Sequence, residues 1–330
     1  MSPARGPYGS WPPAADCQGE AAPKSRLGLI ATQSALKLRL ALLSALVVAA
    51  ACLLVVPCAG AQARIAFVRS SHIWTVNPDG SGLKRLTSGA ASGMGPAWSR
   101  GRGTIAFLRL PGKASNMRRS LWLMRSDGSN QRRLAYSGPS LSSGSTALAF
   151  SPDGRQLAGA CTLGVWRYGV TVLDLATRRS RIVGRISCQG GIVSLTWSPH
   201  GAQLVAVAEF GDGVGMFRFD AVSGGLLQTY HDYAVESVSW SPDGDRLLCQ
   251  VWRSDLPGYP TWTMLFKPDG TRVRTLGKQQ SDPAYSPDGK RYAFVATPDN
   301  SPDGVYIADA DGTNVRKVCG GTGLWQLAWK

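Results

Sequence analysis

Side chains able to do chemistry are few and scattered in this 330-residue chain, which has three histidines. His200 stands where neighbouring repeats place a turn aspartate, while His72 and His231 fall near the face of variable loops, the latter with Asp232 and Glu236 beside it. A histidine among carboxylates is the kind of set that holds a metal and activates water. Isolated groups of this type in loops are usually solvated, so no metal and no cofactor is assigned. No Gly-x-Ser-x-Gly elbow is present to supply a hydrolase nucleophile. Binding chemistry is better represented: Arg109, Lys113, Arg118, Arg119, Trp166, Arg167, Tyr168, His231, Tyr233, Trp252, Arg253 and Tyr259 all fall in irregular segments. Arg, Trp and Tyr dominate interface energies, so these residues are the candidate partner-binding set. The chain reads as a non-enzyme. The alternatives are a metal-dependent lactonase- or hydrolase-type enzyme and a cell-envelope polysaccharide binder.

The elements that position these residues repeat. An aromatic closes a short apolar stretch at Trp98, Phe150, Trp197, Trp240, Tyr285 and Trp329. Ser-Pro-Asp-Gly follows at 151–154, 241–244 and 286–289, with Ser198-Pro199-His200-Gly201 as a near copy. Proline presets the second turn position, aspartate suits the third, and glycine supplies the left-handed residue that closes the hairpin. A period of roughly 45 residues with one aromatic and one tight turn per unit is that of a propeller blade. A second Asp-Gly turn comes later in most units, at Asp79-Gly80, Asp127-Gly128, Asp269-Gly270 and Asp311-Gly312.

The ends of the repeat fix the count. Arg64–Arg69 matches Thr104–Arg109, a second strand, with no first strand before it. Leu324–Trp329 is a first strand with nothing after it. Together they complete one blade. The expectation is an all-β chain folded as a six-bladed β-propeller over 64–330. It is closed by pairing the C-terminal strand (324–330) with the N-terminal blade (64–87), a ring without open sheet edges at the seam.

Antiparallel strands sort the loops onto two faces. The repeated turns occupy one; the irregular second-to-third loops and inter-blade crossings occupy the other. Binding residues concentrate on variable loops held by a rigid scaffold, so the candidate set defines a variable face. Cys161 and Cys188 fall on that face in neighbouring segments and are expected to form a disulfide, whereas Cys249, in mid-strand, is expected to be a buried thiol.

Residues 1–36 are rich in Pro, Gly and Ala and read as a disordered or mis-started extension. Residues 37–63 join Lys37 and Arg39 to an apolar run and an Ala61-Gln62-Ala63 site, a signal peptide or signal anchor. The propeller is therefore expected outside the cytoplasm: secreted, periplasmic, or membrane-anchored and facing outward. Its membrane contact would be limited to an uncleaved anchor. The formal charge is +15. The basic residues are spread over the presumed outer strands as a solvated rim, with no aromatic-interleaved patch, so no nucleic-acid partner is expected. The expected partner is a protein, with an envelope polymer as the other candidate, and the expected state is a monomer.

The Trp-Ser-Pro-Asp-Gly turn, the later Asp-Gly turn and the basic strand after it resemble the WD-like repeats of TolB-type propellers, over about 64–330. The resemblance implies a protein-binding propeller of the cell envelope. It departs from that family where a folded α/β domain would precede the propeller, because the sequence between Ala63 and the first blade leaves no room for one. The family's N-terminal partner segment is therefore not carried over. Blade two has Ser99-Arg100-Gly101-Arg102-Gly103 at its first turn, and blades three and four lack the second Asp-Gly.

Overall fold

The computed structural model describes residues 63–89, 92–110, 119–139, 145–211, 213–230, 233–252, 260–296 and 303–330. The proposed extension and nearly all of the proposed signal segment lie outside them. Among the described residues there is no helix, and the strands form six four-stranded antiparallel sheets. Each sheet is one blade of a six-bladed propeller.

The seam is where the repeat pattern put it. Leu324–Trp329 is the inner strand of blade one and pairs antiparallel with Ile65–Arg69. Arg64 and Lys330 continue the ladder, each amide donating to the other's carbonyl at 2.9 Å. The remaining blades run in chain order, with inner strands Ser92–Trp98, Leu148–Phe150, Gly191–Trp197, Ala234–Trp240 and Gln280–Tyr285.

The first turns work by a second device besides backbone preference. In blade three the Gly154 amide donates to the Ser151 carbonyl at 2.8 Å, with Gly154 at φ 66°. The Ser151 hydroxyl donates to Asp153 at 2.6 Å, and the Arg155 amide donates to the same oxygen at 3.0 Å. Blades five and six repeat the serine–aspartate bond at Ser241–Asp243 and Ser286–Asp288. In blade four, where His200 replaces the aspartate, the Ser198 hydroxyl still accepts from an amide, that of Gln203, at 3.0 Å. In blade three's second turn, Arg178 at φ 59° takes the place that Gly224, at φ 78°, has in blade four.

Six apolar clusters hold the ring, one between each pair of adjacent blades. Both faces of each blade are therefore covered. Strands read as continuous apolar runs rather than alternations, as in Ile65-Ala66-Phe67-Val68, all fully buried. The closing aromatics add polar ties across blades: Trp98 Nε1 donates to the Ala328 carbonyl at 3.2 Å, and Trp197 Nε1 to that of Ala149 at 3.0 Å.

The basic rim does more than keep the surface wet. At one equivalent position near the start of the outer strand, a long side chain reaches the second turn of the next blade. Lys84 Nζ donates to the Asp127 carbonyl at 2.9 Å, and Arg181 reaches the Ala221 and Val222 carbonyls at 2.7 and 3.2 Å. Gln228 reaches the Asp269 carbonyl at 2.7 Å, and Arg274 that of Asp311. These clasps predict that Arg181→Ala lowers unfolding free energy in urea by about 1 kcal/mol, the net worth of a typical hydrogen bond, because solvent exposure discounts its two bonds. A control at Arg179, for which no clasp is seen, should stay within about 0.5 kcal/mol of wild type.

Candidate binding face and channel

The second-to-third hairpins and the crossings share one end of the ring, as the strand directions require. Blade three contributes its longest hairpin, Gln156–Gly164 paired with Arg167–Asp174. The two residues at its tip are bulky and open to solvent: Val165 is 83% exposed and Trp166 61%. Trp166 has φ 55°, a left-handed conformation that a side chain this large rarely adopts. Its carbonyl is anchored by the Cys188 amide at 2.9 Å. Arg167 beside it is exposed, and Trp252, at the end of blade five's second strand, is 37% exposed.

Trp252 has an interaction within the protein as well, and so have the remaining described candidates. Arg109 lies 4.7 Å above the Trp122 ring and donates to the Ser88 carbonyl at 3.2 Å. Arg119 donates to the Ser145 carbonyl at 2.6 Å, and burial pushes its guanidinium below its usual value. Tyr168 packs on the cluster between blades three and four. Tyr233 meets Phe266 edge-on, 5.1 Å between ring centres. Lys113, Arg118, His231, Asp232, Arg253 and Tyr259 lie outside the described residues. Val165 was missed because an apolar loop residue carries no signal apart from its place at a two-residue turn.

The expected disulfide is corrected. Cys161 and Cys188 are free thiols. Ala158 and Ala160 of the Cys161 strand belong to the cluster toward blade four, together with Cys188, so alternation puts Cys161 on the opposite face of its sheet. Cys161 instead lies near Thr171 and Gly169 of the paired strand. Cys249 is fully buried, as its mid-strand place suggested. Burial pushes the thiols of the four described cysteines, Cys161, Cys188, Cys249 and Cys319, above their usual value, the reverse of what a nucleophilic cysteine needs.

The six inner strands enclose a channel of about 620 Å³. Near its mouth on the variable face the inner strands of five blades carry a β-bulge, blade three's shorter strand being the exception. In blades one, two and six the first bulge residue is left-handed: Gln326 at φ 53°, Gly95 at 58° and Asp282 at 49°. Bulges of this type favour glycine there, and two of the three positions hold polar side chains instead. These side chains stitch the mouth together. The Gly95 amide donates to Gln326 Oε1 at 2.7 Å, the Gln326 amide to Asp282 Oδ2 at 2.9 Å, and the Asp282 amide to Gln250 Oε1 at 2.9 Å. Gln250 Nε2 donates to Glu236, and Gln326 Nε2 to the Thr146 hydroxyl. The set was missed; its one trace in sequence is a shared ending, Gly95-Pro96-Ala97-Trp98 beside Asp282-Pro283-Ala284-Tyr285, which no chemistry marks.

Two carboxylates thus line the channel, Glu236 exposed and Asp282 half-buried. Burial, then Asp282 and Glu209, push Glu236 above its usual value; burial pushes Asp282 up, partly offset by the Gln326 amide. His72 is held below its usual value by burial and by Arg85 and Arg109, so its imidazole is neutral at neutral pH. Among the described residues no three His, Cys, Asp or Glu side chains are grouped to hold a metal.

The carboxylates at the mouth and those in the turns titrate in opposite senses. Asp153, Asp243 and Asp288 are held below the usual carboxylate range, first by the serine hydroxyls that donate to them. Their contribution is present above that range and is lost as pH falls through their lowered values. Glu236 has a raised value, so its charged form opposes folding above that value, and the cost disappears as pH falls toward 4.5 and below. Glu236→Gln is therefore expected to raise the melting temperature at pH 8, with the gain vanishing by about pH 4. Melting curves of both proteins across that range test it.

No protein-family model matches the chain. An 84-residue stretch is 36% identical to the Tol-Pal system protein TolB of Anaeromyxobacter dehalogenans (strain 2CP-C), covering 25% of this chain and 18% of that protein. Its repeats are TolB-like. The chain matches about a fifth of the length of those curated relatives. The crystal structure of TolB from Acinetobacter baumannii superposes with a TM-score of 0.63 at 18% identity, over 81% of this chain and 66% of that one. A putative TolB from Agrobacterium tumefaciens gives 0.57 at 17% identity, over 78% of this chain and 88% of that one. These structures share the propeller fold, and the described residues contain the TolB-like propeller with no second folded unit.

Proposed function

We propose that this TolB-like propeller is a non-catalytic, extracytoplasmic platform that binds a protein partner through its variable face. One observation carries the reading: the Val165–Trp166–Arg167 tip. A tryptophan that is 61% exposed and held in a left-handed conformation has no packing reason to be there. Backbone strain of this kind collects where a side chain must be presented, and Trp beside Arg is the composition of interface hot spots. The raised thiols argue against a cysteine nucleophile among the described residues. The TolB relatives, named for the Tol-Pal system, favour a cell-envelope partner. The proposed export segment, within 37–63, agrees with that location.

Alanine at Trp166, Trp252 and Arg253 together is the test. Tagged protein exported to the envelope should retain a partner after cross-linking. The triple variant should lose it, while Arg179→Ala, on the rim, should keep it. Equal retention by the triple variant would sink the reading. A reporter fused after Ala63 that is active only in the cytoplasm would sink the location.

A further inference from the structure

A propeller leaves six outer strands with one unpaired edge each, and unpaired edges invite pairing with other chains. Charged side chains, lysine above all, are the usual guard. Five outer strands here are guarded in that way. Blade one carries Lys84 and Arg85, and blade two Arg132 and Arg133. Blade three has Arg181 and Arg185 in Ser180–Ser187, blade five Arg272, Arg274 and Lys278 in Arg272–Lys278, and blade six Arg316 and Lys317. The outer strand of blade four, Leu226–Tyr230, has no charged residue. Its clasp position holds Gln228, where blades one, three and five hold a cation.

The same strand is apolar outward. Leu226 and Leu227 are 56% and 47% exposed, and Val222 in the turn before them 78%. The register shift between Arg218 and Phe219 leaves Leu227 without a cross-strand partner. The strand is outermost in its sheet, so one side of its backbone is unpaired by any described strand. Its two neighbours around the ring carry five cations between them and no acidic residue.

We propose that the outer edge of blade four is a β-augmentation site that takes an extended partner segment with an apolar centre and acidic ends. Edge pairing supplies main-chain hydrogen bonds and alternate side-chain contacts. The flanking arginines of blades three and five supply the charge complement. A second copy of this chain is disfavoured as the occupant, because it would bring the same cations to the same edge. This surface lies on the rim, and the proposal stands apart from the reading of the variable face.

The probe is a nine-residue peptide with a Val-Thr-Val-Thr-Val centre and two glutamates at each end, titrated against the full chain. Binding is expected to weaken with salt. It should be lost when alternate backbone nitrogens of the peptide are methylated or its glutamates are replaced by lysines. Leu227→Pro, at the unpartnered bulge where proline is tolerated, should weaken binding about tenfold, as should Leu226→Asp. That is the equivalent of one or two lost hydrogen bonds. Val273→Pro on blade five is the control, and melting temperatures of all variants confirm that the ring is intact. If Leu227→Pro fails to fold, Leu226→Asp alone decides. Absence of millimolar binding, binding indifferent to backbone methylation, or a dimer broken by Leu226→Asp would each overturn the proposal.

Discussion

A chain ending at Gly323 is expected not to fold. The deletion removes the inner strand of blade one, Leu324–Trp329, and with it every pairing on the channel side of Ile65–Arg69. Trp329 is 91% buried, its relative exposure being 9%, and belongs to the cluster between blades six and one, where Leu324 and Leu327 pack. Loss of one large buried side chain costs about 3–5 kcal/mol, and several go together, against a total stability of roughly 5–15 kcal/mol. Gln326 is lost as well, and with it the bonds to the Gly95 amide, Asp282 and Thr146 that cross the channel mouth. The remaining five blades would keep their internal ladders but face an open gap with two exposed apolar walls. Far-ultraviolet circular dichroism and gel filtration should report an aggregated or expanded chain. A synthetic peptide of residues 324–330 should restore the native spectrum in proportion to its concentration, because binding to the folded form alone pulls the equilibrium toward it. A truncated chain that folds to a monomer without the peptide would show that the seam does not hold the ring.

That seam was legible because a missing strand at each end of a repeat is a pattern, and patterns survive in sequence. The blades were legible for the same reason, through one aromatic and one Ser-Pro-x-Gly turn in most units. What was hidden depends on neighbours far apart in the chain. Nothing in Arg119 tells that its guanidinium ends on the Ser145 carbonyl, and nothing in Arg181 that it grips the turn of the next blade. Such arginines look alike as solvated loop or rim residues. The cysteine pairing failed on parity: Ala158 and Ala160 mark the face turned toward blade four, and Cys161 is one residue out of step. The bulge ring was hidden because left-handed positions announce themselves through glycine. Asp282 and Gln326 adopt that conformation without it, and the hydrogen bonds that hold them there come from other blades.

Trp166→Gly should move stability and binding in opposite directions, a separation few substitutions give. A left-handed conformation costs an L-residue about 1–2 kcal/mol, and Trp166 has φ 55°. Glycine removes that cost, while its greater freedom in the unfolded chain returns about 0.5–1 kcal/mol. Little burial is lost, because the indole is 61% exposed, and the Cys188 amide still finds the residue 166 carbonyl. The net expectation is a propeller as stable as wild type or more so, by up to about 1 kcal/mol in urea unfolding. If the indole is the hot spot of the variable face, its removal costs ~2 kcal/mol or more of binding, about thirtyfold in affinity. A stable variant that binds the partner as tightly as wild type would remove Trp166 from the interface. A marked loss of stability would mean that the indole serves the fold and that its exposure is incidental. Only the combination of a sound ring and a lost partner fits a side chain kept, against its own backbone preference, for another molecule.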